Sequence, residues 1–598
     1  MQQQTEPEET YKQQVAFFSG LLKELKRKRS NIGWLRLVIV LAILGLIYSL
    51  FFNPYLLTFV AIAAGIAVFL YVISVDADNN AGIAHTERML TINNEELSIL
   101  SGDYYDREDG LSFLPHEHAY AGDIDLFGTA SLYQYASRCT SEQSAALLAT
   151  VLLNPSEKSL IANRQLAAKS LTPEFEWRQK LQSTGMANPV TFATEEKLKF
   201  WLEMPKPLQH PFWRVFPAVF TTITLGALGA YLLEWITSSA FWLLVFACFL
   251  VAKYTSGKVM GTCMALSKIE GEIDTIYRQL LLIEAVPGNS ELLDSYKNVL
   301  VTEKKGTAGI KELKEILKRF DFRLNLLVFM FLNTFLLWDV RQANALNKWK
   351  EEYGDAVAAW FEILANVELI NTLATLTFNR PGWVFPAIVD RHFSLSCEQI
   401  GHPLIDEKKR VDNSFAMEGT GKVAMITGSN MAGKSTFLRS VAVNLVLAQM
   451  GAPVCAQAFS FSPVRLYSSM RIADNLAENT STFYAELKKL KSIIDQVKQH
   501  EKVFILLDEI LRGTNSLDRH AGSEALIKQL IREHAVAVIA THDVELANLQ
   551  KEHENAITNY HFDVQVEGEE LYFDYKLKGG VCRSMNASLL MKKIGIEM

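Results

Sequence analysis

The run Gly428-Ser429-Asn430-Met431-Ala432-Gly433-Lys434-Ser435, with Thr436 behind it, constrains this chain more than any other stretch. It satisfies G-x-x-x-x-G-K-[ST]. Glycines let such a loop curl until its N–H groups converge on phosphate oxygens. The lysine reaches the β- and γ-phosphates, and the hydroxyl after it ligates Mg²⁺. That chemistry requires a strand, a loop and a helix in this order, and the flanks supply both. Val423-Ala424-Met425-Ile426-Thr427 reads as a buried strand, and 436–450 has helical apolar spacing, so the helix N-terminus would face the phosphates. A glycine turn before a helix can also arise by chance, so the motif gains weight only if further parts of a nucleotide site follow.

Two further strands supply them. Val503-Phe504-Ile505-Leu506-Leu507-Asp508-Glu509 is an apolar run ending in two acids. In that arrangement Asp508 would hold Mg²⁺, directly or through water, and Glu509 would polarise the attacking water. Val536-Ala537-Val538-Ile539-Ala540-Thr541-His542 is another buried strand. On its own His542 reads first as an ordinary strand-end histidine; beside a γ-phosphate it can stabilise the transferring group. Throughout 383–598, β-branched runs alternate with helical patterns, which predicts an α/β nucleotide domain.

The front of the chain has a different composition. Residues 37–52 and 55–75 are uncharged apolar runs separated by Asn53-Pro54, and a second pair lies at 215–233 and 236–252. Each approaches the roughly 20 residues that cross a bilayer. Lys23, Lys26, Arg27, Lys28, Arg29 and Arg36 precede the first run, Lys206 and Arg214 precede the third, and Lys253 and Lys258 follow the fourth. The short turns within each pair carry no Lys or Arg, so the positive-inside rule puts the N-terminus, the middle segment and the C-terminal part in the cytoplasm. The first run reads as an anchor rather than a cleaved signal, since no small-residue cleavage site follows it. A buried helical pair in a large soluble core is the other reading of each hairpin. A fifth apolar run, 324–338, contains Asn325 and Asn333 and is too short to cross, so it is predicted to be soluble core.

The predicted organisation is a basic cytoplasmic N-terminal segment (1–33), a transmembrane hairpin (34–75), a helical part (76–212), a second hairpin (213–254), a second helical part with a long helix over 344–378 (255–382), and the α/β domain (383–598). Within the first helical part, 122–128 is a turn-rich entry to a helix near Ser131, and 141–153 is a helix stopped by Asn154-Pro155. His116-Glu117-His118 lacks further ligands at useful spacing and reads as a solvated loop rather than a metal site. With a net charge of −7, any nucleic-acid-binding face must be a local patch. The six cysteines form no C-x-x-C pair, which fits reduced thiols.

At this level of detail the α/β domain resembles the MutS family of ABC-class ATPases. Thr427-Gly428-Ser429-Asn430-Met431-Ala432-Gly433-Lys434-Ser435-Thr436 is similar to that family's P-loop, and Leu507-Asp508-Glu509-Ile510-Leu511-Arg512-Gly513-Thr514-Asn515-Ser516 to its D-E-I-G-R-G-T-S block. Ser481-Thr482-Phe483 with Glu486 resembles its S-T-F-x-x-E signature, Ala540-Thr541-His542 its A-T-H, and Gly401-His402-Pro403 its G-R-H-P element without the arginine. The stretch from Gly579-Gly580 to Ile594-Gly595-Ile596 resembles the closing dimer segment, and more diffusely 125–155 and 358–378 resemble the helical core and lever. The resemblance implies an all-α core and lever before the ATPase domain, and a homodimer that sandwiches ATP and Mg²⁺. In it Ser481 approaches the γ-phosphate held by the partner's P-loop, and the loop 515–518 couples the two sites; Ser481 could also serve as a helix N-cap. His402-Pro403 could lie near the nucleotide base or form a plain turn.

The same resemblance implies DNA as a partner and a mismatch-repair-like role. Against it, the first hairpin occupies the place of the mismatch-reading domain, Phe175-Glu176 is a bland helical pair, and no basic tract precedes the lever. Leu511 stands where the family has glycine, and Ala432 replaces the first of its paired glycines. Two functions therefore stay open: a membrane-anchored ATPase of the inner membrane coupled to DNA, or an ATP-driven switch acting on membrane or protein partners without nucleic acid.

Overall fold

The computed structural model describes residues 6–50, 56–302, 306–429, 432–471, 482–499, 502–567 and 570–582. Asn430, Met431, Ser481, the Asn53-Pro54 turn and the closing segment to Ile596 lie outside the described residues.

Two long helices open the chain, α1 (Pro7–Leu50) and α2 (Leu56–Leu100). At 44 and 45 residues each is roughly twice the length needed to span ~30 Å of hydrocarbon. They pack against each other along their length, tied by Arg36 to Asp76 at 2.8 Å, Lys26 to Glu87 at 2.8 Å, and the Asn79 amide donating to the Leu25 carbonyl at 3.1 Å. Thus α2 continues unbroken past residue 75, and its second half, with Ile83, Met89, Ile92 and Ile99 buried, joins the helical body.

That body begins with α3 (Leu132–Ala136), α4 (Glu142–Leu153), α5 (Lys158–Leu171), α6 (Phe175–Gly185) and α7 (Phe192–Glu203). Ser131 and Ser141 cap α3 and α4 by accepting from Gln134 and Ser144 N–H groups, and Asn154-Pro155 ends α4. The second apolar pair follows as α8 (Phe212–Leu232) and α9 (Ser238–Ala265). Six more helices complete this half: α10 (Glu270–Glu284), α11 (Glu291–Thr302), α12 (Gly306–Phe320), α13 (Leu326–Leu336), α14 (Trp338–Tyr353) and α15 (Val357–Asn379). The single helix predicted over 344–378 is instead two, separated by a 3-10 turn at Gly354–Ala356. Glycine is a poor helix former, and its bare face lets Leu202 approach there.

One prediction is overturned. The apolar run 324–338 is not soluble core: Leu324, Leu326 and Leu327 are 86%, 67% and 81% exposed, and Phe331 is exposed too. Length argued against a crossing, but did not entail a protein environment. Of the most apolar 18 residues within Trp338–Asn379, by contrast, 72% are buried inside the protein and serve as core.

The C-terminal half runs β1 (Ala387–Ile388), β2 (Ser394–Ile400), β3 (Asn413–Glu418), β4 (Lys422–Thr427), α16 (Lys434–Met450), β5 (Ala458–Phe461), β6 (Arg465–Ser469), α17 (Thr482–Gln499), β7 (Val503–Asp508), α18 (Ser516–Arg532), β8 (Val536–Thr541), α19 (Leu549–Glu552), β9 (Ile557–Glu567) and β10 (Glu570–Gly579). Its main sheet has the order β10-β9-β4-β8-β7-β6, parallel except for β10, and a smaller sheet has the order β1-β5-β2-β3. The central parallel strands β4, β7 and β8 are buried on both faces, which is why they read as unbroken apolar runs. The chain is therefore a helical N-terminal region followed by an α/β domain.

Candidate functional site

Register brings the three strand ends together. Thr427 of β4 pairs with Thr541 of β8, and Asp508 of β7 pairs with Ala540. The loop after β4, the acids after β7 and His542 after β8 therefore share the carboxyl edge of one parallel sheet, where open α/β sheets bind ligands.

Gly428 and Gly433 adopt φ of 146° and 101°, conformations closed to residues with a Cβ, and these turns deliver the chain to the N-terminus of α16. Lys434 is 3% exposed, and its ammonium donates to the Gly428 and Ser429 carbonyls at 2.7 and 2.8 Å. Burial pulls its pKa down, while Glu509 and Asp508 pull it up. Ser435 and Thr436 begin the helix, and Ala432 is buried beneath the loop.

Asp508 is buried; desolvation raises its pKa, and the Ser435 hydroxyl and Arg512 lower it. Its Oδ1 has no hydrogen-bond partner among the described residues. Beside a serine hydroxyl, a buried carboxylate oxygen left uncommitted suits a hard divalent cation such as Mg²⁺. Glu509 follows in a left-handed conformation (φ 51°), with its N–H donating to the Ala540 carbonyl at 2.9 Å. The His542 Nδ1 lies 3.8 Å from Glu509 Oε1, too far for a hydrogen bond, and has no hydrogen-bond partner among the described residues. Next to it, the Asp543 carboxylate accepts from His520 Nδ1 at 2.7 Å, and the Asp543 N–H donates to the Thr541 hydroxyl at 3.0 Å, fixing the turn that presents His542.

Several residues outside the predicted set belong to this neighbourhood. Arg512 covers both acids, with Nε 3.3 Å from Glu509 Oε2 and Nη2 3.8 Å from Asp508 Oδ2. Glu486 of α17, noted in the sequence only as part of a signature, is buried and accepts from the backbone N–H groups of Leu511 and Arg512. A Cβ on Gly513 would come within 2.5 Å of Phe483 Cβ, so the same signature packs flush on the segment after Glu509. Leu511 holds φ 60°, a conformation natural to glycine, with its side chain buried over Gly522. Tyr575 of β10 reaches the P-loop, its ring 3.1 Å from where a Gly433 Cβ would stand. No local spacing announces Tyr575, because it arrives from a distant hairpin.

His402 is held in a turn, with Nδ1 accepting from Leu404 N–H at 3.3 Å, and the adjoining Gly401 carbonyl accepts from Asn444 of α16 at 2.8 Å. Asn515 caps α18 by accepting from Asp518 N–H at 2.9 Å. His118 is not simply solvated: Nδ1 accepts from the Tyr120 and Ala121 N–H groups, so Nε2 donates to the Leu153 carbonyl at 3.1 Å. Both nitrogens are committed, and none is left for a metal.

Residues 424–592 match MutS domain V. The chain is 30% identical over 247 residues to the DNA mismatch repair protein MutS of Persephonella marina, a match covering 41% of this chain and 28% of that protein. It is 34% identical over 226 residues to the DNA mismatch repair protein MutS of Thermotoga sp., covering 37% and 27%. The MutS protein homolog 4 of Mus musculus is 32% identical over 218 residues, covering 35% and 22%. The matched part spans about a quarter of the length of these curated relatives.

Proposed function

Because this chain belongs to the MutS family through its C-terminal domain, we propose that it binds and hydrolyses ATP as a cassette homodimer whose cycle is coupled to DNA. The observation that carries the catalytic part is the buried, half-committed Asp508 beside Ser435, at the sheet edge that also holds the P-loop, Glu509 and His542.

In this reading Lys434 exchanges its loop carbonyls for the β- and γ-phosphates, while the N–H groups of 428–436 cradle them. Ser435 and Asp508 hold Mg²⁺, which supplies neutralising charge when bound. Glu509 takes the proton of the attacking water, and His542 steadies the γ-phosphoryl group from the next strand. Arg512 neutralises the acids until nucleotide enters, and Glu486 keeps the segment carrying it in place. Ser481 of one subunit would complete the site of the other.

The helices α1, α2, α8 and α9 are long and apolar enough to cross a membrane. We place two transmembrane hairpins at 34–75 and 213–254, with the ATPase domain on the cytoplasmic face of the inner membrane. The basic residues flanking them, and the absence of Lys and Arg from their turns, support that orientation.

One feature favours the alternative, a switch acting on membrane or protein partners. The Tyr11 hydroxyl of α1 donates to Asn379 Oδ1 at 2.7 Å, and Asn379 donates to Glu96 of α2 at 2.6 Å. Glu96 also receives both ends of the Arg138 guanidinium at 2.8 Å. The two helices that carry hairpin 1 are thereby bonded, outside the hairpin itself, to the last residue of α15, directly before the ATPase domain.

The test is ATP turnover by the detergent-solubilised full chain, with and without duplex, mismatched and branched DNA. Turnover no higher than in Lys434→Ala removes the ATPase reading. Turnover indifferent to every DNA, with no salt-sensitive DNA binding, removes the DNA half and leaves the switch.

A further inference from the structure

We propose that α13 and the Leu324 turn before it lie among lipid acyl chains, in the leaflet that receives the cytoplasmic ends of α8 and α9, as a membrane segment that enters and returns without crossing. The proposal rests on the reading that α8 and α9 span a membrane.

The segment is built for such a place. Eleven residues give a helix of about 16 Å, half of a ~30 Å hydrocarbon core. Its outward face is Leu324, Leu326, Leu327, Met330 and Phe331, all exposed and all apolar. That face continues the exposed apolar surface of the second pair, where Val219 and Ile223 of α8 and Phe246 and Leu250 of α9 are also exposed. The inward side turns to the same two helices: Asn333 and Thr334 are its buried residues, and just past its end Leu337 and Val340 share a core with Phe220 of α8 and Ala252 of α9.

Lipid offers no hydrogen bonds, so a helix ending at membrane depth must have its loose backbone groups met by protein. They are met here. At the start, Asn325 Oδ1 accepts from Val328 N–H at 3.2 Å. At the end, the Phe335 carbonyl accepts from the Thr224 hydroxyl at 2.7 Å, and the Leu336 carbonyl accepts from Arg341 Nε at 2.9 Å. Asn333, the polar residue that counted for soluble core in the sequence, turns inward, donating to the Ala252 carbonyl and accepting from Asp339 N–H. Thr224 lies at about the middle of α8, so the end of α13 reaches the depth where that leaflet ends rather than the surface.

The two feet of the excursion meet. Trp338 Nε1 donates to the Arg319 carbonyl at 3.0 Å, and Arg323 pairs with Asp339 at 3.5 Å while donating to Ser256 at 2.9 Å. Entry and exit on one side keep the ATPase domain on the face from which the segment came. A soluble partner would leave no reason for this face to continue the lipid-facing sides of α8 and α9.

A photoreactive benzophenone residue placed singly at Leu327, Phe331, Phe246 and Leu166 tests it, in the full chain reconstituted into phosphatidylethanolamine–phosphatidylglycerol vesicles. Leu166, 59% exposed on α5, reports the aqueous background. Lipid adducts at Leu327 and Phe331 should match those at Phe246 and stand well above those at Leu166, as for side chains among acyl chains rather than in water. Lipid adducts at Phe246 with only protein adducts or background at Leu327 and Phe331 would overturn the proposal and leave the second hairpin intact. Background at Phe246 as well would remove the hairpin reading and the proposal with it.

Discussion

Glu368 and Asp508 are both buried carboxylates, in different halves of the molecule, and their surroundings are opposite. Glu368 of α15 accepts from the N–H groups of Thr140 and Ser141 at 3.1 Å each and from Gln279 at 2.8 Å, and the hydroxyls of Thr140, Ser141 and Ser144 also bond to it. It sits at the N-terminus of α4, where a negative charge is favoured, and binds α4, α10 and α15 together. Asp508 keeps one oxygen without any partner among the described residues. A buried acid whose every lone pair is engaged holds a fold. One left short at the edge of a parallel sheet is set aside for a ligand.

The largest expected effect lies on the unsaturated side. Glu509→Gln should lower ATP turnover by about 10²–10⁴-fold, the usual worth of a positioned general base, while nucleotide binding survives. Single-turnover kinetics beside a binding titration separate the two, and turnover at the normal rate would remove Glu509 from its role.

Next come the two acids themselves. Glu368→Ala strands several buried donors and should cost about 3 kcal/mol or more in urea unfolding of the solubilised chain. Asp508→Asn should shift stability by less than about 1 kcal/mol yet abolish Mg²⁺-dependent turnover. Equal destabilisation by both would erase the distinction between a structural and a reserved carboxylate.

A smaller effect is expected at the second saturated acid. Glu96 is satisfied by Arg138 and Asn379, and Tyr11 bonds to Asn379. Tyr11→Phe removes one buried hydrogen bond and keeps the ring, so the loss should be about 1 kcal/mol. If this contact carries strain between the helices that hold hairpin 1 and the ATPase domain, turnover in vesicles should change more than stability does. A variant unchanged in both would show that the contact is dispensable.

The same contrast explains what could be read from the sequence. The P-loop and the two buried strands were legible because their chemistry is local: residues adjacent in sequence do one job at one strand end. The caps at Ser131 and Ser141 and the stop at Asn154-Pro155 were legible for the same reason. Arg512 was quoted but given no role, because its value comes from lying over Asp508 and Glu509 in space. Tyr575 and Glu368 act at long sequence separation and leave no spacing to detect. The run 324–338 departs from the soluble-core expectation because an apolar helix too short to cross has the same pattern whether its outer face is covered by the rest of the chain or left exposed, as it is here.

His402 extends the comparison to a buried group held neutral instead of charged, and it carries the smallest expected effect. Burial, with Arg439 and Arg410 nearby, depresses its pKa to about 4 against a partial counter-pull from Asp125. In the folded protein the ring is therefore neutral where the unfolded chain, with its ordinary value of 6.5, has begun to take up a proton. The unfolded state binds more protons in that window, so the contribution is fully present above pH 6.5 and is lost as pH falls toward 4. Asn at this position can accept from Leu404 N–H as the ring does, which keeps the turn and removes the titration. Unfolding midpoints measured across the window should fall less steeply for His402→Asn than for the parent. Parallel curves would mean that the ring is protonated or hydrated in the fold, and that this part of the P-loop's surroundings is wetter than its packing against α16 implies.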